Sequence, residues 1–207
     1  MSNVLIINGS PRVDGNTSIA INELVKTFDK NEIATEIINI GSNDIRGCVA
    51  CCKCRENGKC IFDDIVNEVA KKFKDADGLI VASPVYYAQA NATLIAFLQR
   101  LFFSTACTID KTMKVGASVA VCRRGGASAT FDELNKFFTI SNMPVVSSQY
   151  WNSVHGRVQG EAMHDLEGLQ TMRTLANNMT FLIRSIQLGK NKYGLPEKEE
   201  PIMTHFI

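Results

Sequence analysis

Val4-Leu5-Ile6-Ile7-Asn8-Gly9-Ser10-Pro11 places four bulky apolar residues in a row and then stops at a turn-forming cluster. Such a run reads as a strand buried on both faces that empties into a loop. From Thr17 to Phe28, the apolar residues Ile19, Ile21, Leu24, Val25 and Phe28 recur mostly at steps of three and four, which predicts an amphipathic helix covering a sheet. Strand, Gly-containing loop and helix form the opening unit, and that unit sets the fold.

Working outward, the pattern repeats. Ala34–Ile40, Gly78–Ser83, Lys114–Cys122 and Met143–Ser147 predict four more strands, the third strand of the chain being halted by Ser83-Pro84. Helices are expected over 63–73, 93–103 (broad enough for burial on more than one side), 130–138 and about 163–188. Trp151 and His155 fall in a polar loop, and the charged segment from Gly189 onward reads as weakly ordered. Five strands alternating with helices predict an α/β fold, a doubly wound three-layer sandwich with a parallel sheet covered on both faces. With 207 residues, the chain is expected to be one domain over 1–188, with a cysteine-rich insert at 43–61 and a tail at 189–207.

Charge and hydropathy narrow the function. Lys+Arg 22 against Asp+Glu 21 leaves +1, which gives no reason to expect nucleic acid as a partner. Every apolar run is interrupted before the roughly 20 residues a membrane span needs, and the first residues lack a basic leader. The expectation is a soluble cytoplasmic protein with no membrane partner.

In an open α/β sheet, ligands bind beyond the carboxyl ends of the strands. Three loops fall there. Ser10, Arg12, Asn16, Thr17 and Ser18 offer hydroxyls, a cation and helix-start N–H groups to a phosphate, or else cap the helix; the loop lacks the ending of a Walker motif. Pro84, Val85, Tyr86 and Tyr87 form a stiffened aromatic platform for a flat ring, or a wedge that seals the core. Arg123, Gly125 and Gly126 offer cations and close backbone approach, or a solvated turn. Together they fit a mononucleotide with a flat heterocycle. His155 is a candidate rim residue, and no Ser-His-Asp or HExxH pattern is visible. Phe131, Phe137 and Phe138 are expected in the core.

Five of the seven cysteines lie between Cys48 and Cys60. Cys48, Cys51, Cys54 and Cys60 form C-x2-C-x2-C-x5-C once Cys52 is left out, a spacing that suits a [4Fe–4S] cluster, while structural zinc and metal-free redox thiols stay open. Cys107 and Cys122 are expected to pack as small buried hydrophobes.

These motifs, Gly9-Ser10-Pro11-Arg12…Gly15-Asn16-Thr17, Ser83-Pro84-Val85-Tyr86-Tyr87 and the Arg-Arg-Gly-Gly turn, resemble the NADPH-dependent FMN reductase family of flavodoxin-like proteins over about residues 1–185. The cysteine spacing resembles its iron–sulfur flavoprotein branch. The resemblance implies a five-stranded sheet of order 2-1-3-4-5. It also implies FMN with its phosphate at the first loop and its ring between the other two, iron in preference to zinc, and a homodimer or homotetramer. Electrons would pass from NAD(P)H as co-substrate, or from a ferredoxin-type donor, to a quinone, flavin or other small-molecule acceptor. An electron-carrier or redox-sensing module without its own turnover is the alternative. A nucleotide-binding regulator with structural zinc ranks third.

Overall fold

The computed structural model describes residues 2–206. In chain order it comprises β1 (Asn3–Asn8), α1 (Asn16–Lys30), β2 (Ala34–Asn39), α2 (Cys54–Asn57), α3 (Ile65–Asp75), β3 (Gly78–Tyr86) and β4 (Gln89–Ala90). Then follow α4 (Ala92–Ser104), β5 (Val115–Cys122), α5 (Ala127–Thr139), β6 (Ser153–His155), a 3-10 turn (Glu161–His164) and α6 (Leu166–Tyr193). The sheet runs β2-β1-β3-β5-β6, all parallel, with β4 added antiparallel to β3 as a sixth strand.

The sheet separates two cores. On one face, Ile21, Leu24 and Phe28 of α1 and Met172, Leu175 and Met179 of α6 pack against Val4, Ile6, Ile80 and Val119. On the other, Val69 and Phe73 of α3, Phe97 and Leu101 of α4 and Phe138 of α5 cover Leu5, Ile7, Leu79 and Val81. Alternate residues of each central strand serve opposite layers, and both faces are apolar, which is why these strands read as continuous hydrophobic runs rather than alternating ones.

Three sequence expectations are corrected. The fifth parallel strand is Ser153–His155; the stretch 143–147 contributes only a single bridge, Val145 to Gly116. His155 therefore ends an edge strand instead of standing in a loop. The third strand does not stop at Ser83-Pro84 but continues to Tyr86, because parallel pairing of Pro84 with Val121 does not depend on the missing proline N–H and β4 folds back on its end. Helix α6 continues five residues past Leu188 to Tyr193. Among the described residues no helix is long and apolar enough to cross a membrane.

Candidate functional site

The loop after β1 is organised by Asn8, a buried polar residue at the end of an apolar strand. Its Nδ2 donates to Asn39 Oδ1 at 2.9 Å and to Ser18 Oγ at 3.3 Å, and its Oδ1 accepts from the Ser10 N–H at 3.0 Å. Ser10 Oγ in turn accepts from the Arg12 N–H at 3.2 Å. The N-cap of α1 is Gly15, with no side-chain cap, so Asn16, Thr17 and Ser18 do not cap the helix. Ser18 Oγ instead donates to the Val13 carbonyl. The Asn16 side chain is also committed: Oδ1 accepts from Gly160 N and Ala162 N, both at 3.2 Å, and Nδ2 donates to Val158 O at 2.9 Å. Thr17 is buried with its hydroxyl uncommitted, and Arg12 is exposed with no ion pair among the described residues. The donors left for an anion are Arg12, the Thr17 hydroxyl and the unpaired first-turn amides of α1, whose first turn holds no acidic residue.

The two other loops meet. Val85 and Tyr86 pair with Ala90 and Gln89 around Tyr87 (φ 51°) and Ala88 (φ 61°), a two-residue hairpin with both central residues left-handed. Holding two non-glycine residues there costs about 1–2 kcal/mol each, and the hairpin is anchored by the Ala90 N–H donating to Glu133 Oε2 of α5 at 2.9 Å. Gly126 (φ 93°) lies so close that a Cβ on it would sit 2.6 Å from Ala88 Cα and 2.9 Å from Val85 Cγ1. The Arg123-Arg124-Gly125-Gly126 turn thus abuts the Tyr hairpin through bare backbone. Tyr86, Tyr87, Arg123 and Gly125 are all exposed on this rim. Beneath it, burial pushes the Cys122 thiol up, against the pull of N–H bonds from Arg124 and Ala127.

At the end of β2, the chain leaves the sheet through Gly41, where an added Cβ would fall 2.2 Å from the Ser10 carbonyl carbon and 2.5 Å from Gly9 O. The segment that begins against the first loop is the cysteine loop. Cys48, Cys51, Cys52, Cys54 and Cys60, with Val49, Ile61, Phe62, Arg100, Phe103 and Ser104, line one small hollow of about 20 Å³. Burial raises the Cys54 thiol, a backbone hydrogen bond opposes this, and negative charge on Cys51, Cys60 and Cys48 raises it further. Cys52 sits at φ 57° and donates to Ala50 O at 3.6 Å. Cys52 lines the same hollow as the four cysteines of the C-x2-C-x2-C-x5-C spacing. Among the described residues no group of three or more His, Cys, Asp or Glu side chains is arranged to hold a metal ion.

Three residues hold this loop: Asn67 and Arg100, which the sequence reading missed, and Asp64, which it reads only as an acidic residue at a helix start. Asn67 of α3 is buried, accepts from Cys60 N and donates to Cys60 O and Phe62 O, each at 3.0 Å. Arg100 of α4 is only 1% exposed. It forms a forked pair with Asp64 (Nη1 to Oδ2 2.6 Å, Nη2 to Oδ1 3.0 Å) and donates to Cys60 Sγ from both Nε (3.3 Å) and Nη2 (3.2 Å). Burial works against its charge, but the bonds to Asp64 and Cys60 outweigh it and the guanidinium ends above its ordinary pKa. Asp64 also N-caps α3, accepting from Val66 N at 3.1 Å. Cys107, expected inside, is exposed because α4 has ended at Ser104, whereas Cys122 is buried as expected.

A doubly wound parallel sheet carrying an anion-ready first loop and two further loops that meet at its carboxyl edge defines a flavodoxin-like, mononucleotide-binding protein. Residues 2–157 match the NADPH-dependent FMN reductase family, and the chain belongs to that family of flavin-dependent oxidoreductases, whose cofactor is FMN. It is similar to an iron-sulfur flavoprotein of Methanocaldococcus jannaschii, 34% identical over 193 residues that cover 89% of this chain and 98% of that one. Among solved structures, RosB with bound 8-demethyl-8-formylriboflavin-5′-phosphate superposes with a TM-score of 0.71 at 16% identity, covering 100% of this chain and 92% of that one. A flavodoxin from the domain Archaea gives 0.58 at 12% identity, over 88% and 99%. The two structural likenesses bear on the fold alone.

Proposed function

We propose that this protein is an iron–sulfur flavin oxidoreductase that takes electrons from NAD(P)H or a ferredoxin-type donor and delivers them to a quinone, a flavin or another small oxidant. The observation that carries this reading is the junction at Gly41. The cysteine loop starts in backbone contact with Ser10 of the first loop, so the two candidate cofactor sites belong to one continuous edge of the molecule. The likeness to an iron-sulfur flavoprotein along nearly the whole of both chains points the same way.

FMN, when bound, supplies hydride and single-electron chemistry, and a [4Fe–4S] cluster supplies single-electron storage. The donor sets suit both groups: four thiols on one loop are the ligands a cluster takes, and the free donors of the first loop suit a phosphate. Arg12, the Thr17 hydroxyl and the α1 amides receive the phosphate, with Ser10, Asn16 and Ser18 shaping the loop around it through the bonds they already make. Pro84, Val85, Tyr86 and Tyr87 wall one side of the ring; Arg123, Gly125 and Gly126 close the other, their N–H groups and cation favouring negative charge on it. Cys48, Cys51, Cys54 and Cys60 hold the cluster and Cys52 does not. None of these side chains has to act as a general acid or base. Tyr86, Tyr87, Tyr150 and Trp151 are exposed and are covered by a second copy of the chain in a homodimer or homotetramer.

The test is anaerobic mixing of the FMN-loaded protein with NADH, NADPH or a reduced ferredoxin, following flavin absorbance, and then adding a quinone. Bleaching by at least one donor and recovery on quinone addition is expected. A flavin that none of the donors reduces contradicts the reading. Sedimentation of the same sample checks the oligomer.

A further inference from the structure

A cation as deeply buried as Arg100 is expensive, and an apolar side chain would pack between α3 and α4 at lower cost. Every N–H direction of the guanidinium is nevertheless used. Besides the fork to Asp64, Nη1 donates to Arg46 O and Nη2 to Phe62 O, both at 3.3 Å, while Phe62 lays its ring 4.9 Å from the guanidinium carbon. Arg46 lies just before the first cysteine of the loop, and Cys60, Phe62 and Asp64 at and just after the last. One side chain therefore ties both ends of the cysteine loop to α4, the helix that begins at the Tyr hairpin. Asp64 matches its charge and occupies one side of the fork. The remaining edge, Nε with Nη2, is turned to a sulfur: of the five thiols in the loop, only Cys60 receives side-chain N–H donors.

We infer that Arg100 is the positioning residue that fixes Cys60 as the fourth cluster ligand and raises the reduction potential of the bound cluster; this rests on the cluster reading above. One-electron reduction of a thiolate-bound cluster adds one negative charge and breaks no bond. Two N–H···S hydrogen bonds and a buried positive charge beside one ligand sulfur favour the more negative state, and hydrogen bonds to cluster sulfurs are a recognised determinant of potential. Asp64 offsets part of this effect, so the Arg100–Asp64 pair sets the potential by difference. The same bonds hold the Cys60 sulfur in the hollow while Asn67 holds its backbone.

The experiment compares wild type, Arg100→Lys, Arg100→Gln and Asp64→Asn after anaerobic loading with iron and sulfide. Cluster midpoints are read by electron paramagnetic resonance in a dye-mediated titration, with the FMN midpoint of the same sample as internal reference. Arg100→Gln should shift the cluster midpoint downward, Arg100→Lys should shift it downward by less, and Asp64→Asn should shift it upward while keeping an oxygen to cap α3. Iron loss to a chelator should be ~10-fold faster in Arg100→Gln. A purely structural role would move the Arg100 and Asp64 variants in the same direction or not at all, and either result overturns the inference. If Arg100→Gln fails to fold, the opposite shifts of Arg100→Lys and Asp64→Asn decide. Wild type that takes up no iron and sulfide overturns the cluster reading and this inference together; a loaded wild type with unshifted variants overturns the inference alone.

Discussion

The proposed flavin cradle and the cysteine loop meet at Gly41, yet they are built by opposite means. The cradle is a product of strands: β3 and β5 run three to four residues past the end of β1 at Asn8, and the loops after the strands approach through backbone, as the tight spaces at Gly41 and Gly126 show. The cysteine loop has only the four-residue α2 between β2 and α3 and is held by side chains of the next helix and of a more distant one, Asn67 seven residues from Cys60 and Arg100 40. Backbone-built sites are robust to side-chain exchange and intolerant of an added Cβ. Loops held by side chains reverse that sensitivity.

The sharpest way to break the comparison lies in the cysteines. Cys51→Ser should lose most of the bound iron, whereas Cys52→Ser should keep it, read by iron and sulfide content after identical loading; equal losses would erase the distinction between the four and the fifth. Next is Gly41→Ala. Its Cβ meets Ser10 and Gly9 backbone, which cannot swing aside, so a destabilisation of about 1–3 kcal/mol is expected, together with loss of FMN retention. Gly125→Ala, with open space around it, should stay within about 0.5 kcal/mol by denaturant unfolding. Arg12→Ala should weaken FMN by about 10- to 100-fold, since hydrogen bonds to charged groups are worth roughly 1.5–3 kcal/mol. Riboflavin, which lacks the phosphate, should bind the variant and wild type alike in a fluorescence titration; parallel losses would place Arg12 elsewhere. The smallest effect is expected for Thr17→Val, which keeps the buried volume and removes a neutral hydroxyl. FMN should weaken by about three- to tenfold, and an unchanged affinity would make Thr17 a core residue only.

The same contrast governs what could be read from the sequence. Four apolar residues followed by Asn-Gly-Ser-Pro suffice to mark β1 and its loop, because a central strand has no alternative use for such a run. The edge strand Ser153-Val154-His155 offers one apolar residue and no pattern, so the richer Pro144-Val145-Val146 drew the prediction. The cysteine spacing was legible because it is local. Arg100 and Asn67 were not, since the partners of Arg100 lie about 40 residues or more away and a single polar residue in a helix usually faces water. A signal did exist: Arg100 follows Phe97 by three and precedes Ser104 by four on the buried stripe of α4, where a solvated arginine has no place. Asn8 carried the same sign, a polar residue closing a fully buried strand.

Cofactor content after anaerobic purification and loading tests the central claim most directly, by absorbance together with flavin, iron, zinc and acid-labile sulfide assays. The account predicts FMN with about four iron and four sulfide per chain and a broad shoulder near ~400 nm beside the flavin bands. FMN without iron and sulfide, or zinc in their place, would contradict it.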